Sequence, residues 1–409
     1  MNPVRVGRGS QRGRVSRFNR MIFNYFALIH FALIMPLSMK IGFSTFVMQG
    51  GKSGVATYVR NLLRFLQQAD AENTYDLLMA RSEADLVPLT NPNFGKSLYS
   101  PFISHPVANL AWHNMGLPQK KYDVLHIPSY RRIPLLKRTK VVATVHDLAM
   151  FSVDGKYDRA RMFFNRRIVP SMIRNADHVI AVSHATKEDL IRLVGYPEER
   201  ISVVYSGIDH ALFRPTPKDE ARRQLAGLLG LKKPFFTYVS RLEHPAKNHV
   251  RLIEAFERFK LENDSAHQLV FAGADWNGAD AIRARAAESP VRNDLVFLGF
   301  VPMRILPLLY SGCDLMVYPS LHEGFGFPIV EALACGAPVA CSNTSSMKEL
   351  AEDWIPTFDP TCANGIFECI ESTVSTGWSA SKRAHGMVCA KSFDWRETAR
   401  EVMRIYRSV

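Results

Sequence analysis

The most informative stretch of this chain is Pro319-Ser-Leu-His-Glu-Gly-Phe-Gly-Phe-Pro-Ile-Val-Glu331. It follows a predicted strand at Leu315–Tyr318 and holds Gly324 and Gly326 in a short loop. A helix is predicted to begin near Pro328, because proline suits the first turn of a helix. A strand, a glycine-containing loop and a helix in this order are typical of a parallel α/β sheet, in which ligands bind at the carboxyl ends of the strands.

The same stretch carries groups that suit a phosphate and a sugar. A helix N-terminus offers free N–H groups and a partial positive charge to a phosphate, and glycines let the backbone approach a ligand closely. Glu323 precedes the helix and Glu331 lies about one turn inside it, so both face one cleft, where a carboxylate accepts hydrogen bonds from the vicinal hydroxyls of a ribose or hexose. The alternative is a surface loop with solvated glutamates, but the agreement of loop, glycines, proline and two acids favours a binding site.

Two basic residues follow another predicted strand, Phe235–Ser240. Arg241 and Lys247 therefore emerge at a carboxyl end that faces the same cleft. Two fixed cations can neutralise a diphosphate, and arginine binds phosphate through two nitrogens. Surface charge is the commoner explanation for each residue alone; together with the glutamate loop, a binding role is favoured.

Outward from this stretch, short runs of β-branched and aromatic residues alternate with helical patterns, which predicts βαβ units and parallel sheets. The proline-rich break 210–217 divides the pattern into two halves. Strands are predicted at Lys40–Val47, Tyr75–Ala80, Asp123–Pro128, Lys140–His146, His178–Ser183 and Ile201–Tyr205, and then at Phe235–Ser240, Gln268–Ala272, Leu295–Phe300, Leu315–Tyr318 and Pro338–Cys341. Helices are predicted at Val55–Gln68, Ala160–Asn175, Thr186–Val194, His249–Glu262, Ala279–Ala287, Pro328–Cys335 and Asp394–Tyr406.

The predicted fold class is α/β, with two Rossmann-like doubly wound domains that face each other across a cleft. The first domain is predicted over 39–212 and the second over 213–392. The last helix begins with Asp394, which suits an N-cap, and has apolar residues that need a surface to pack on. We therefore expect residues 393–409 to pack back onto the first domain.

Composition and charge exclude several classes of protein. The chain has 409 residues, 47% hydrophobic and 22% charged, which excludes wholesale disorder, collagen-like repetition and a polytopic membrane protein. The net charge is +13, but seven basic and no acidic residues lie within residues 1–40, which leaves 44 basic and 38 acidic residues elsewhere. This moderate excess favours anionic substrates or anionic lipid and not a nucleic-acid partner.

The residues before the first strand form a basic and then apolar extension, 1–38. Its apolar part, Met21–Met39, would span about 28 Å as a helix, which is barely a bilayer core. A signal peptide and a signal anchor are alternatives, but an interfacial anchor or a dispensable extension is favoured, which leaves peripheral membrane contact open. All six cysteines follow residue 312 without a CxxC pair, and this favours buried reduced thiols in a cytosolic protein.

Two features of the first half point to the same cleft. The strand Lys40–Val47 leads into Gln49-Gly-Gly-Lys-Ser-Gly54. This is not a Walker A loop, because that motif requires a glycine at position 46, where this chain has Phe46. Gly50 and Gly51 are expected to turn backbone N–H groups toward a phosphate or sugar. His146 ends another strand; it is equally well interpreted as a structural histidine or as a residue of the site. No pattern of histidines or acids indicates a metal site.

With these residues identified, the chain from Lys40 to Val409 resembles the retaining glycosyltransferases of family 4, the group 1 transferases with the GT-B fold. The motifs that carry the resemblance occur in the family's order. They are Gly50-Gly-Lys-Ser-Gly-Val-Ala-Thr-Tyr58, Val145-His-Asp147, Ala176-Asp-His-Val-Ile-Ala-Val-Ser183, Val204-Tyr-Ser-Gly-Ile-Asp209, Arg241 with Lys247-Asn248, and the two glutamates of Glu323–Glu331.

The resemblance implies which residues bind the donor phosphates. Arg241 and Lys247 are implied to bind the diphosphate, helped by the backbone at Phe325 and Gly326. Gly51 is implied to lie beside the donor phosphate. Since the two cations take the place of Mg²⁺, no metal and no other cofactor is expected.

The resemblance also implies residues for the sugar and the nucleoside. Glu323 is implied to contact the transferred sugar, and His146 to meet it near the reacting carbon. Glu331 is implied to hold the ribose hydroxyls, and the backbone around Gly299 and Val301 to flank the base. The reaction implied is front-face transfer with retention, in which the departing phosphate accepts the acceptor's proton, so the glutamates are not a glycosidase pair.

The donor favoured by the resemblance is GDP-mannose, with UDP-glucose and other UDP-sugars as alternatives. The acceptor is expected to be a glycan or a lipid-linked glycan of cell-surface polysaccharide synthesis. The reaction is expected in the cytoplasm, at the inner face of the membrane. Two other functions stay open: a nucleotide-sugar epimerase or phosphorylase of the same fold, and a non-catalytic module that binds membrane or RNA.

Overall fold

The computed structural model describes residues 38–51, 53–115, 121–153 and 159–409. Lys40–Val409 form one compact unit that contains two parallel β-sheets. The predicted extension 1–38 lies outside the described residues except for Ser38. Within the described ranges, no helix is both long enough and apolar enough to cross a bilayer.

The first sheet has seven parallel strands in the order β3-β2-β1-β4-β5-β6-β7. Every predicted strand of this half is present, and one additional strand, β3, was not predicted. β3 is an edge strand whose sequence, Phe-Gly-Lys-Ser-Leu-Tyr, has only Phe94 buried, so it lacks the apolar run that identifies the others. The strands are β1 Lys40–Ser44, β2 Thr74–Ala80, β3 Phe94–Tyr99, β4 Val124–Ile127, β5 Lys140–Val145, β6 His178–Ala181 and β7 Ile201–Val203.

The second sheet has six parallel strands in the order β10-β9-β8-β11-β12-β13. In both sheets the strand order reverses beside the first strand, at β1/β4 and at β8/β11, and such reversal points are where doubly wound sheets bind ligands. The predicted α/β class with two doubly wound sheets is therefore confirmed. The strands are β8 Phe235–Val239, β9 Gln268–Ala272, β10 Leu295–Phe297, β11 Leu315–Tyr318, β12 Val339–Ser342 and β13 Thr357–Phe358.

Helices cover the faces of the two sheets. The predicted helix 160–175 is two helices, α4 and α5, and Pro170, which has no N–H group, lies in the first turn of α5. The helices are α1 Gly54–Ala69, α2 Pro106–Met115, α3 Ala149–Ser152, α4 Arg159–Arg167, α5 Val169–Arg174 and α6 His184–Asp189, then α7 Lys218–Leu229, α8 His249–Asn263, α9 Ala279–Ala287, α10 Leu306–Gly312, α11 Phe327–Ala334, α12 Ser345–Ala351, α13 Ala363–Thr376, α14 Ala380–Lys391 and α15 Trp395–Ser408.

The last helix, α15, lies against the helices and strands of the first sheet. Trp395 is fully buried with its ring 5.6 Å from that of Tyr58 on α1, and the Tyr406 hydroxyl is 2.6 Å from Nδ1 of His126 on β4. Close packing at the start of the helix requires a glycine, because a Cβ atom on Gly207 would lie 2.2 Å from the backbone nitrogen of Trp395. The second domain is thus connected to the first by its C-terminal helix as well as by the linker.

The two halves also touch directly across the cleft. Glu349 on α12 accepts hydrogen bonds from the backbone N–H groups of His184 and Ala185 at 3.1 and 3.0 Å, and Tyr205 donates to the same carboxylate. Ala149 and Val153 of the first half pack with Ala246 and Leu321 of the second. These polar and apolar contacts hold the carboxyl ends of the two sheets face to face.

We expect Gly207→Ala to destabilise the protein, because the added methyl group cannot fit without moving α15 away from the first sheet. Overpacking of this kind costs about 2 kcal/mol of unfolding free energy. Gly227→Ala is the control: its Cβ atom meets nothing within 4 Å, and alanine is the better residue inside α7. Calorimetric melting should show a lower transition temperature for the first variant and an equal or higher one for the second; equal melting of both would contradict the packing described.

Candidate active site

Two loops meet at the reversal point of the second sheet. One follows β8 and carries Arg241 and Lys247, and the other follows β11 and carries Glu323. β8 and β11 are hydrogen-bonded neighbours, so the loops leave the sheet side by side. The backbone N–H of Leu321 donates to Ala246 O at 3.0 Å, and the side-chain amide of Asn248 donates to Pro319 O at the same distance. The two motifs therefore form one structural unit.

An ion pair lies at the centre of this unit. Lys247 Nζ is 2.5 Å from Oε1 of Glu323, and both side chains are largely buried. The same oxygen also accepts from Ser320 Oγ at 2.6 Å and from the Tyr318 hydroxyl at 3.0 Å. Burial alone raises the pKa of Glu323, but the charge of Lys247 and these hydrogen bonds outweigh it and hold the pKa below its ordinary value. The carboxylate stays ionised, and its Oε2 has no hydrogen-bond partner among the described residues.

Arg241 presents a second cation to the cleft. Its side chain is 40% exposed, and its guanidinium carbon lies 4.5 Å from the centre of the Trp276 ring. Its only ion pair among the described residues is a long one, 3.3 Å, to Glu243. The aromatic ring therefore orients the guanidinium while leaving its N–H groups available to an anion.

Gly299 and Val301 follow the edge strand β10 on the same side of the sheet. Gly299 O accepts a hydrogen bond from Gly273 N at 2.8 Å, and a Cβ on Gly273 would lie 1.9 Å from Ser240 O, next to Arg241. A chain of backbone contacts thus connects Gly299 to the Arg241 loop. Gly299 has a φ of +66° and no heavy atom within 4 Å of where its Cβ would be, so a planar group can approach its backbone.

Glu331 lies on α11, behind the glutamate loop, and is buried. Its Oε2 accepts a hydrogen bond from Tyr310 at 2.9 Å. Burial raises its pKa to about 7, and the Tyr310 hydrogen bond opposes that shift. Gly326, with a φ of +98°, starts the helix, while the Phe325 ring is buried against Phe327. In the first turn of the helix, Pro328 has no N–H group and Ile329 N donates to Gly326 O at 3.0 Å, so the helix contributes mainly one carboxylate that ionises near neutral pH.

His146 comes from the other domain, at the carboxyl end of β5. A Cβ atom on Gly324 would lie 1.4 Å from His146 O, so only glycine allows the glutamate loop to come this close. Burial lowers the pKa of His146 to about 4, although Asp147 opposes the shift, so the imidazole is neutral at pH 7. Its Nε2 is buried and has no hydrogen-bond partner within the part of the chain that the structure describes, which suits an atom that binds a ligand.

The glycine-rich turn after β1 differs from its prediction. Gly50 and Gly51 have φ angles of +76° and +82°, which favour glycine. Their N–H groups, however, are used within the protein: Gly50 N donates to Glu83 Oε1 and Gly51 N to Met48 O, both at 2.8 Å. The expectation that these amides point toward a ligand is therefore wrong for this structure. No contact among the described residues joins Gly51 to the Lys247–Glu323 pair.

Three residues of the site were not predicted from sequence. Tyr310 and Trp276 lie outside every motif. Tyr310 contacts Glu331, and Trp276 contacts Arg241, only because the folded chain brings distant residues together. Tyr318 was assigned only to a strand, although an aromatic hydroxyl at the end of a strand, beside an acidic loop, was a usable signal.

Models of known protein families match both halves of the chain. The family model described as "Glycosyl transferases group 1" matches residues 220–371, and the model described as "Glycosyltransferase Family 4" matches residues 52–212. The first match covers all strands of the second sheet, the two loops of the site and most of α13. The second covers the first sheet from α1 onward. Both halves are therefore matched by models of one class of enzyme.

Individual relatives agree with these matches. The chain is 26% identical to "O-antigen chain mannosyltransferase B" of Escherichia coli, over 90% of this chain and all of the relative. Sucrose-phosphate synthase from Thermosynechococcus elongatus has a similar structure, with a TM-score of 0.73, 20% identity and coverage of 90% of this chain and 98% of that one. Anabaena Alr3699/HepE in complex with UDP and glucose gives a TM-score of 0.69, 21% identity and coverage of 91% and 100%. These likenesses confirm the GT-B fold.

We expect Lys247→Met to lower the free energy of unfolding by about 3 kcal/mol, because it leaves the buried Glu323 carboxylate without a counter-charge. The double variant Lys247→Met/Glu323→Gln should recover most of this loss. Lys233→Met is the control, since Lys233 forms an ion pair of 2.8 Å with Asp294 but is mostly exposed, and such pairs contribute less than about 1 kcal/mol. Urea denaturation measures all three; equal losses for the two single variants would contradict the central role of the buried pair.

Proposed function

Because the chain belongs to the group 1 glycosyltransferases, we propose that it is a retaining hexosyltransferase of cell-surface polysaccharide synthesis. It transfers mannose from a nucleotide diphosphate sugar, with GDP-mannose favoured, to a glycan or a lipid-linked glycan. The observation that supports this most strongly is the Lys247–Glu323 ion pair at the reversal point of the second sheet. That pair places a phosphate-binding cation against a carboxylate suited to a sugar.

The donor diphosphate fits between the two cations and the start of α11. Arg241 is oriented by Trp276 and has N–H groups available, and Lys247 can donate to a phosphate oxygen while it keeps one hydrogen bond to Glu323. Charge develops on the diphosphate as the bond to the sugar breaks. Cations held in place before the reaction stabilise that charge more than the ground state, which lowers the barrier.

The transferred sugar fits between Glu323 and His146. Glu323 Oε2 and His146 Nε2 have no partner among the described residues, and each can bind a sugar hydroxyl. In front-face transfer the acceptor hydroxyl attacks on the side that the phosphate leaves, and its proton passes to the departing phosphate oxygen. The protein then supplies orientation and charge stabilisation, and no residue has to act as a base.

Mannose is favoured by similarity to the E. coli mannosyltransferase, which the chain matches along that protein's whole length, and GDP by the resemblance of the motifs to family 4. The HepE structure was solved with UDP and glucose, which keeps UDP-sugars as the second candidate. GDP and UDP differ in their bases, and the bases would lie near Gly299 and Val301. A purine and a pyrimidine place different hydrogen-bonding groups there.

We propose further that the enzyme needs no divalent metal, because Arg241 and Lys247 supply two positive charges where Mg²⁺ otherwise neutralises a diphosphate. Among the described residues, no three His, Cys, Asp or Glu side chains are grouped to hold a metal ion. We also propose that the reaction takes place at the inner face of the membrane, because residues 1–38 have a basic and then apolar sequence.

The donor assignment predicts that one nucleotide sugar raises the melting temperature of the protein, because a ligand of the native state stabilises it. The test compares GDP-mannose, UDP-glucose and other UDP-sugars, each with and without EDTA. Arg241→Ala should weaken donor binding roughly ten- to hundred-fold, since charge-assisted hydrogen bonds to phosphate are lost. Trp276→Ala should weaken donor binding less, because it removes only the aromatic ring that orients the Arg241 guanidinium.

The control for this test is Arg258→Ala. Arg258 also packs on an aromatic ring, 4.1 Å from Phe367, and is 44% exposed, but it lies on α8, on a surface apart from the two loops. Donor binding should be unchanged in this variant. Unchanged donor binding in Arg241→Ala would contradict the assignment, and loss of binding in EDTA would contradict metal independence.

The raised pKa of Glu331 predicts that donor affinity depends on pH. Its pKa of about 7 means that the carboxylate is increasingly protonated below neutrality, and a protonated acid accepts ribose hydroxyl hydrogen bonds poorly. Donor affinity should therefore fall as the pH drops from 8 to 6. Glu331→Gln should bind weakly and lose this dependence, whereas Tyr310→Phe should move the midpoint to higher pH, because Tyr310 lowers the pKa. Calorimetric titration measures each case; a flat wild-type profile would exclude Glu331 as the ribose ligand.

A further inference from the structure

The loop that carries Glu323 is held by the first domain as well as by its own. His322 Nε2 lies 3.4 Å from Asp189 Oδ2, and Gly324 O accepts a hydrogen bond from Thr186 Oγ1 at 3.4 Å. Both partners belong to α6 of the first domain, where a separation of three positions puts their side chains on one face of the helix. One face of α6 therefore contacts both neighbours of Glu323.

The contact between His322 and Asp189 is shielded from water. The two side chains are only 10% and 9% exposed, and a polar contact is stronger in such surroundings than at the surface. Asp189 has a second partner, because Arg192 Nη2 lies 2.5 Å from its other carboxylate oxygen, but the Arg192 side chain is 65% exposed. The two partners thus occupy different oxygens and can be removed one at a time.

The second domain holds the same loop through the start of α12. Glu323 N donates to Ser345 Oγ at 2.9 Å, and Ser346 Oγ donates to Glu323 O at 3.1 Å. Ser345 has a φ of +48°, a strained conformation for a residue with a side chain, and such strain is found most often at active sites. Glu349, on the same helix, accepts the first N–H groups of α6. The loop, α12 and α6 therefore form a closed ring of contacts around Glu323.

The chain after α6 has an unusual geometry. A π-helical turn, Leu190–Val194, directly follows Asp189. Such turns are rare and are frequently found at functional sites. Among the described residues, neither Asp189 nor Thr186 forms a hydrogen bond or ion pair with Arg241 or Lys247. Any effect of α6 on the reaction is therefore exerted through the loop that carries Glu323.

We propose that Asp189 is a positioning residue, which acts through His322 to fix the direction of Glu323 while the two domains are in contact. This role rests on the proposed function, because it concerns the carboxylate that contacts the transferred sugar. Lys247 holds Glu323 Oε1, so the direction of Oε2 depends on where the backbone of the loop lies. A displacement of about 1 Å in a reacting arrangement can slow a reaction about hundred-fold. The first domain thus contributes to the rate of transfer without binding the donor.

Asp189→Leu should separate turnover from donor binding. Turnover is measured on the full chain as release of nucleoside diphosphate from GDP-mannose or UDP-glucose, with methyl α-D-mannopyranoside as acceptor, and should fall roughly ten- to hundred-fold. The dissociation constant of the same nucleotide sugar, from calorimetric titration, should change less than about two-fold. Arg192→Ala, which removes the other partner of the same carboxylate, is the control and should change neither quantity. Unchanged turnover in Asp189→Leu, or an equal loss of binding and turnover, would overturn the positioning role.

Two substitutions of His322 distinguish a polar contact from packing. Glutamine keeps an N–H donor, whereas phenylalanine keeps a ring without one. His322→Phe should lower turnover as much as Asp189→Leu does, and His322→Gln should keep a larger share of it. The double variant Asp189→Leu/His322→Phe should be no slower than either single variant, because no contact is left for the second substitution to remove. Additive losses, or equal losses for glutamine and phenylalanine, would assign both residues to the fold alone.

Hydrogen–deuterium exchange reports the same contact without any donor. The amide of Glu323 should exchange several-fold faster in Asp189→Leu and in His322→Phe than in wild type or Arg192→Ala, because its hydrogen bond to Ser345 opens more often when the loop is released. If neither nucleotide sugar binds but exchange responds in this way, the proposed function fails and the control of the loop by α6 stands. If the donor is bound and turned over while Asp189→Leu keeps the turnover and the exchange of wild type, the positioning role is wrong and the proposed function stands.

Discussion

The contact between Lys247 and Glu323 is the interaction on which the candidate site depends. It joins the loops that leave two neighbouring strands, and both side chains are largely buried, so the two charges are desolvated together. Ser320 and Tyr318 complete the hydrogen bonding of one carboxylate oxygen, so the other is held in a fixed direction. The position of Arg241, the start of α11 and the approach of His146 all follow from the placement of these two loops.

The sequence was sufficient for the elements whose residues have a strong local pattern. The apolar strands Gln268–Ala272 and Leu315–Tyr318 have the predicted bounds, and the cations and acids of the second half were found by their places after strands. Edge strands were missed, because Phe94–Tyr99 and Thr357–Phe358 are short or mostly exposed and have no continuous apolar run.

The site could be predicted only in part, because several of its properties arise from contacts between distant residues. Tyr310 affects Glu331 only because α10 packs beside α11, and Trp276 reaches Arg241 from the loop after β9. The amides of Gly50 and Gly51 were assigned to a ligand, but Glu83, more than thirty residues later, accepts one of them at 2.8 Å. Sequence indicates which groups are present near a strand end, whereas hydrogen-bond partners depend on the packed chain.

The carboxylate of Glu349 has a consequence for the motion of the two domains. It belongs to the second domain but accepts the first N–H groups of α6 in the first domain, and Tyr205 donates to it from the chain that follows β7. Separation of the domains would expose these groups to water and end their charge-assisted bonds at the same time. Any opening of the domains for entry of a substrate or departure of a product would therefore break these bonds, and the rate of that opening would limit how fast the protein turns over.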